Sequence, residues 1–143
     1  MDFKSLEENY QTDEKKSTEG IEIVVGINAL EQPITMIVAQ AGNPKHREIQ
    51  RKYEAALERA RKSEKKRTLV MAKITAESIL KNWHGVLDSE KNEIPYTVDV
   101  GTEALIRYEQ LFLEILEASN NPSNFGLEEI EEIEETEKNS LTS

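Results

Sequence analysis

The 143-residue sequence predicts a mainly α fold of the α+β type, in which an N-terminal β-hairpin packs on one long helix or two and on a closing amphipathic helix, between flexible termini. Three observations carry this expectation. Two β-branched runs, residues 21–25 and 34–39, flank the turn-rich stretch GINALEQP. Neither proline nor glycine occurs between Lys45 and His84, so no residue there breaks a helix. From Ala104 to Leu116, apolar residues recur with helical spacing.

Residues 1–19 have only Phe3, Leu6 and Tyr10 to bury, which does not offset the entropy of ordering; a loose segment is expected, with a short docked helix as the alternative. Residues 20–126 form the single expected domain. In its hairpin, Ile21, Ile23 and Val25 share an apolar face with Ile34, Met36 and Val38. Two strands alone are marginal in water, so this face must lie on helices or on another chain, and the open edges leave room for a homo-oligomer or a partner strand.

Asn43 and Pro44 form a strong helix start, with Asn43 as N-cap and proline at the first helical position. Ile49, Tyr53, Ala56, Leu57 and Ala60 mark one face of the run that follows, and Tyr53 is a candidate partner contact. Around RKSEKKR the apolar face is lost, which leaves open one protruding helix or two that meet at a polar joint. Ten Lys/Arg and four Glu between Lys45 and Arg67 give this segment a net +6 on a chain of net −10. Arg47, Arg51, Lys52, Arg59, Arg61 and Lys62 form a candidate basic surface, although no aromatic stacking platform accompanies it.

The apolar stripe returns with Leu69, Ala72, Ala76, Ile79, Leu80 and Trp83, so a helix is expected to run to Trp83 with Gly85 as its left-handed cap. A polar turn over residues 87–93 follows, and Pro95 holds Ile94 extended. Trp83, Gly85, Val86, Pro95 and Tyr96 make up a structural corner between two helices. The closing helix starts between Thr97 and Thr102 and packs through Ala104, Leu105, Tyr108, Leu111, Phe112, Ile115 and Leu116. Ile106 and Leu113 lie off that face as candidate partner contacts. Residues 127–143 carry seven glutamates between Glu128 and Glu137, and an acidic, disordered tail is expected. Within it, Leu127, Ile130 and Ile133 recur every third residue and are also candidate partner contacts.

Catalytic chemistry finds little support. The chain has no cysteine, which excludes disulfides, thiol nucleophiles and thiolate metal sites. His46 and His84 have no ligand spacing, and Asp88, Glu90 and Glu93 lack the alternation and glycine of a calcium loop. No phosphate-binding or nucleophile-elbow motif occurs. We expect no enzyme, no cofactor and no metal. The acidic balance disfavours nucleic acid and anionic membranes, and the absence of a signal-like or membrane-spanning apolar run points to a soluble protein inside the cell.

The order of motifs resembles a family. A hairpin leads into Gly42-Asn43-Pro44-Lys45, then a basic helix carrying Tyr53, then Trp83-His84-Gly85-Val86, Ile94-Pro95-Tyr96-Thr97 and a last helix ending near Phe125. This resembles the tail assembly chaperones of long-tailed bacteriophages over about residues 20–126. The chain departs from them at Lys91-Asn92-Glu93, where Asp-Gly is common, and at Arg107-Tyr108-Glu109-Gln110, where a proline is common. The resemblance implies a non-catalytic protein of the host bacterial cytoplasm that coats the apolar tape-measure protein and recruits tail tube protein. Two other functions stay open: a structural phage protein such as a connector or minor tail component, and a nucleic-acid-associated factor using the basic helix 45–67.

Overall fold

In a computed structural model, residues 1–127 are described; Ile130, Ile133 and the rest of the expected acidic tail lie outside them. The two β-branched runs form strands β1 (Ile21–Ile27) and β2 (Pro33–Val38), paired antiparallel from Ile21↔Val38 to Ile27↔Pro33. Asn28 closes the turn, its side-chain oxygen accepting from the N–H groups of Leu30 and Gln32. A bulge makes Val25 the extra residue between the pairs Val24↔Thr35 and Gly26↔Ile34. Met36 and Val38 enter the core, and Ile23, Val25 and Ile34 pack against it.

The hairpin is not alone. Residues Leu80–His84, expected as the end of a helix, form strand β3 on the other edge of β2, giving the order β1-β2-β3. The cause of the misreading is specific. Met36 pairs with Trp83, Ile37 with Asn82 and Val38 with Leu80, so Lys81 is a bulged extra residue. The bulge turns Leu80 and Trp83, three apart, onto one sheet face, a spacing that imitates a helix. The preceding helix also weakens as it approaches β3. Thr75 and Ser78 donate their hydroxyls to the carbonyls of Met71 and Ile74, one turn back.

Gly85 does adopt a left-handed conformation, φ +79°, but at the end of a strand instead of a helix. A Cβ there would lie 2.4 Å from the Pro33 carbonyl oxygen, so only glycine lets the chain pass the start of β2.

The long basic run is three helices: α3 (Pro44–Lys52), α4 (Glu54–Arg59) and α5 (Glu64–Ser78). Asn43 caps α3 as expected, accepting from the His46 N–H at 3.0 Å. The chain bends at Tyr53 and breaks over residues 60–63, where Ser63 caps α5 by accepting from Lys66 N–H. The closing helix also divides, into α6 (Val98–Arg107), capped by Thr97, and α7 (Glu109–Ser119). Tyr108, at φ −117° and ψ 84°, is the break, and its side chain turns out to solvent instead of joining the core.

The N-terminal segment differs from a loose tail. It holds α1 (Lys4–Tyr10) and α2 (Glu14–Glu19), the latter capped by Asp13. Phe3, Leu6 and Tyr10 do remain exposed, as their scarcity implied. Hydrogen bonds, not apolar burial, tie the segment down. Thr12 bridges Gly126, Asp13 N–H donates to the Phe125 carbonyl at 2.8 Å, and Gln40 N–H donates to Ser17 at 2.9 Å. After α7 a 3₁₀ turn (Pro122–Phe125) folds Phe125 into full burial.

Two predictions follow from this packing. Trp83 is 3% exposed in the centre of the core, so Trp83→Ala should lower unfolding free energy by about 3–5 kcal/mol in a urea titration. The second concerns pH. His46 accepts from Gly42 N–H through Nδ1 at 2.8 Å, which requires that nitrogen to be unprotonated, and burial lowers the ring's pKa from its ordinary 6.5. Its contribution to stability is therefore complete above about 6.5 and declines as pH falls from there towards the lowered folded value. The unfolding midpoint of the wild type should fall with acidification across that window, and that of His46→Gln should be flatter.

Candidate partner-binding groove

The corner residues are engaged internally. Trp83 Nε1 donates to the Ile94 carbonyl at 2.7 Å, and its ring meets that of Tyr96 edge-on, centroids 5.1 Å apart. The Tyr96 hydroxyl donates to the Ala76 carbonyl in α5, and its ring lies where a Cβ on Gly101 would sit. Gly101, which weakens the first turn of α6 by propensity, is thus the residue that lets Tyr96 lie between α5 and α6. Burial, then the nearby Glu77 carboxylate, raises the Tyr96 phenol far above its ordinary value, so it stays a neutral donor. Val86 and Ile94 pair across the turn, the Ile94 N–H donating to Val86 at 2.7 Å. Pro95 is exposed on the extended approach to α6.

The acidic turn is similarly occupied. Asp88 accepts from the N–H groups of Glu90 and Asn92, and Glu93 accepts from Gly85 N–H. Among the described residues no group of three His, Asp or Glu side chains is placed to hold a metal ion, and no buried side-chain nitrogen or oxygen lacks a hydrogen-bond partner. Nor is any helix among them long and apolar enough to cross a membrane.

An open surface lies on the other side of α5. Between α4–α5 and α6–α7 runs a groove of about 520 Å³, whose apolar lining includes Leu57, Met71, Ile106, Phe112, Leu113 and Leu116. Glu64, Arg67 and Glu109 also line it. Ile106 is 43% and Leu113 51% exposed, although both are large apolar side chains. Ile106, near the end of α6, and Leu113, in α7, each follow a buried neighbour, Leu105 and Phe112. Leu105 and Phe112 go into the core and Ile106 and Leu113 onto its rim.

A second depression of about 600 Å³ adjoins the first, sharing Leu57 and Arg67 as walls. Arg47, Arg51 and Arg61 line it together with Glu54 and Glu58. Arg67 donates to the Arg61 carbonyl, and Arg61 pairs with Glu58 at 3.6 Å. Four guanidinium groups against two carboxylates leave this end cationic.

Not every candidate residue lies here. Lys52 pairs with Glu77 at 3.4 Å and lies over the Tyr53 ring, while Tyr53 donates to Glu77 at 2.8 Å. That hydrogen bond, then burial and the Glu77 charge, raises the Tyr53 pKa. Both side chains therefore serve the α3–α5 contact. Arg59 and Lys62 are exposed and are not among the lining residues. Leu127 is half-buried beside Gly126. Leu57, Met71 and Leu116 belong to the groove without having been singled out as partner contacts. The available signal was α5 itself, which carries apolar groups on two sides: Ala72 and Ala76 inward, Met71 outward.

A model of the YdaY prophage protein family matches residues 38–139. The matched stretch takes in the corner, the groove and the basic depression. No curated protein and no solved structure matches the chain.

The groove and the core should separate by mutation. Leu113→Asp, at a half-exposed position, should shift the urea midpoint by no more than about 0.5 kcal/mol in free energy, as surface substitutions do. Leu105→Ala, at a buried one, should cost about 2–5 kcal/mol in the same titration.

Proposed function

This chain belongs to the YdaY prophage protein family, and from that premise we propose that it is a tail assembly chaperone, acting without catalysis in the host bacterial cytoplasm. In this reading it holds apolar segments of a tape-measure protein until tail tube protein replaces it. The observation that carries the proposal is the solvent-open groove, with Ile106 and Leu113 on its rim. Contiguous apolar surface of this kind on a highly charged chain marks a docking site for an apolar or amphipathic segment. Each apolar side chain moved from water into such a groove contributes about 1.5–3 kcal/mol, and ordering and association offset much of that. Binding of this strength is reversible, as a chaperone requires.

Two further features support the reading. The chain breaks between α6 and α7 at Tyr108, within residues 107–110, where it departs from the proline common in the resembled tail chaperones, and the break leaves Ile106 and Leu113 on separate helices. Trp83, Gly85 and Tyr96, the most specific part of that resemblance, form the joint that positions α6 against α5.

A structural phage protein is the second reading, favoured by one observation: β1 has one unpaired edge and exposes Val24 and Ile27, which suits self-association in a ring. Mass spectrometry of purified virions separates the two, since a chaperone leaves and a ring component stays at fixed copy number.

Co-expression tests the leading proposal. The tape-measure protein of the same prophage should move from the insoluble to the soluble fraction when this chain is present, and Leu113→Asp together with Ile106→Asp should reverse the gain. A tape measure equally insoluble with and without the chain would overturn it.

A further inference from the structure

The described chain ends close to the C-terminal end of α7. Asn124 donates to the Ala118 carbonyl at 3.0 Å, Phe125 is fully buried, and Gly126 is held by its bridge to Thr12 and by Lys16 Nζ at 3.0 Å. Residues 128–143 therefore start near the C-terminal end of α7, the helix whose Leu113 and Leu116 line the groove. From Leu116 back to Glu109, the groove follows α7 for about 10 Å at 1.5 Å per residue. A helix, the form in which Leu127, Ile130 and Ile133 would share one side, spans about 10 Å over these seven residues, the length of that stretch of groove.

The chemistry is complementary as well. Seven glutamates between Glu128 and Glu137, with Lys138 the one cation among residues 127–143, give this stretch a strong negative charge. The depression that adjoins the groove presents Arg47, Arg51, Arg61 and Arg67. Leu127, Ile130 and Ile133 recur every third residue among the glutamates, which gives the stretch an apolar strip for the groove and acidic flanks for the arginines.

We propose that the acidic stretch of this same chain, residues 128–143, docks in the groove, with Ile130 and Ile133 against Ile106 and Leu113 and its glutamates over the arginine depression, so that an apolar partner binds by displacing it. This rests on the reading of the groove as a docking surface. Self-docking covers exposed apolar surface while no partner is present, and it lowers the apparent affinity for any partner by the fraction of molecules in which the groove is filled. It also screens the arginines from nucleic acid.

The absence of cysteine makes the test direct. A nitroxide on Thr136→Cys of the full-length chain, a position that spares Leu127, Ile130 and Ile133, is compared with its reduced form by methyl NMR. At low salt the Leu57, Met71, Ile106 and Leu113 methyl signals should lose most of their intensity, unchanged on dilution. High salt, which shortens the screening length to about 3 Å at 1 M, should restore much of it, and Ile130→Asp with Ile133→Asp should restore it at low salt. Full intensity at low salt in the unmodified background would overturn the proposal. So would a loss that disappears on dilution, which would place the stretch on a neighbouring molecule. No tape-measure protein enters this measurement, so its failure leaves the chaperone reading intact, and failed co-expression beside a clear NMR effect removes that reading alone.

Discussion

The corner and the start of the closing helices are placed by the pairing of Met36 in β2 with Trp83 in β3. It fills the second edge of β2, which makes that strand central and turns a marginal hairpin into a sheet. It also fixes the indole where Nε1 can donate to Ile94, and that bond sets the start of the extended approach to α6. Tyr96, held edge-on by Trp83, then reaches across to the Ala76 carbonyl and lies against Gly101. The angle between α5 and α6, and hence one wall of the groove, descends from a strand pairing on the far side of the core. The structural corner is the joint that sets α6 against α5 beside the groove.

Much of this was legible in sequence, and the failures have physical causes. Residues 21–25 and 34–39 announced strands because β-branched residues alternate there, and Asn43-Pro44 announced the start of α3 because cap and proline act locally. Leu80–His84 was not legible because a single bulged residue, Lys81, converts a strand's two-residue period into a helix-like three. The breaks at Tyr53 and Tyr108 carry neither glycine nor proline. They arise from tertiary packing on either side, which local propensity does not record. The N-terminal helices were legible only as the alternative to a loose segment, because their ties are backbone hydrogen bonds to Gln40, Phe125 and Gly126, distant in sequence, and not apolar contacts.

The groove was half legible. Ile106 and Leu113 stood out because they lie off the apolar face of an otherwise clean amphipathic pattern. Leu57 and Met71 did not, because each reads as part of a core face until it is known which sides of α4 and α5 are covered. Tyr53 was misleading in the opposite sense. It stands on the face of a basic helix as a candidate partner contact, yet its hydroxyl donates to Glu77 and its ring lies under Lys52 within the chain.

The division of the closing helix gives the groove its particular character. In an unbroken helix over residues 98–119, Leu105, Tyr108, Phe112 and Ile115 would share one stripe, and the core would take all four. With the break, Tyr108 leaves the core and α6 and α7 meet α5 separately. The groove walls therefore come from four short helices joined by non-helical residues, and Leu and Met side chains, with several rotatable bonds each, furnish much of the apolar lining. The chaperone proposed above would need an adaptable surface of this kind, whereas a site for one fixed ligand would place a few convergent polar groups in an enclosed pocket.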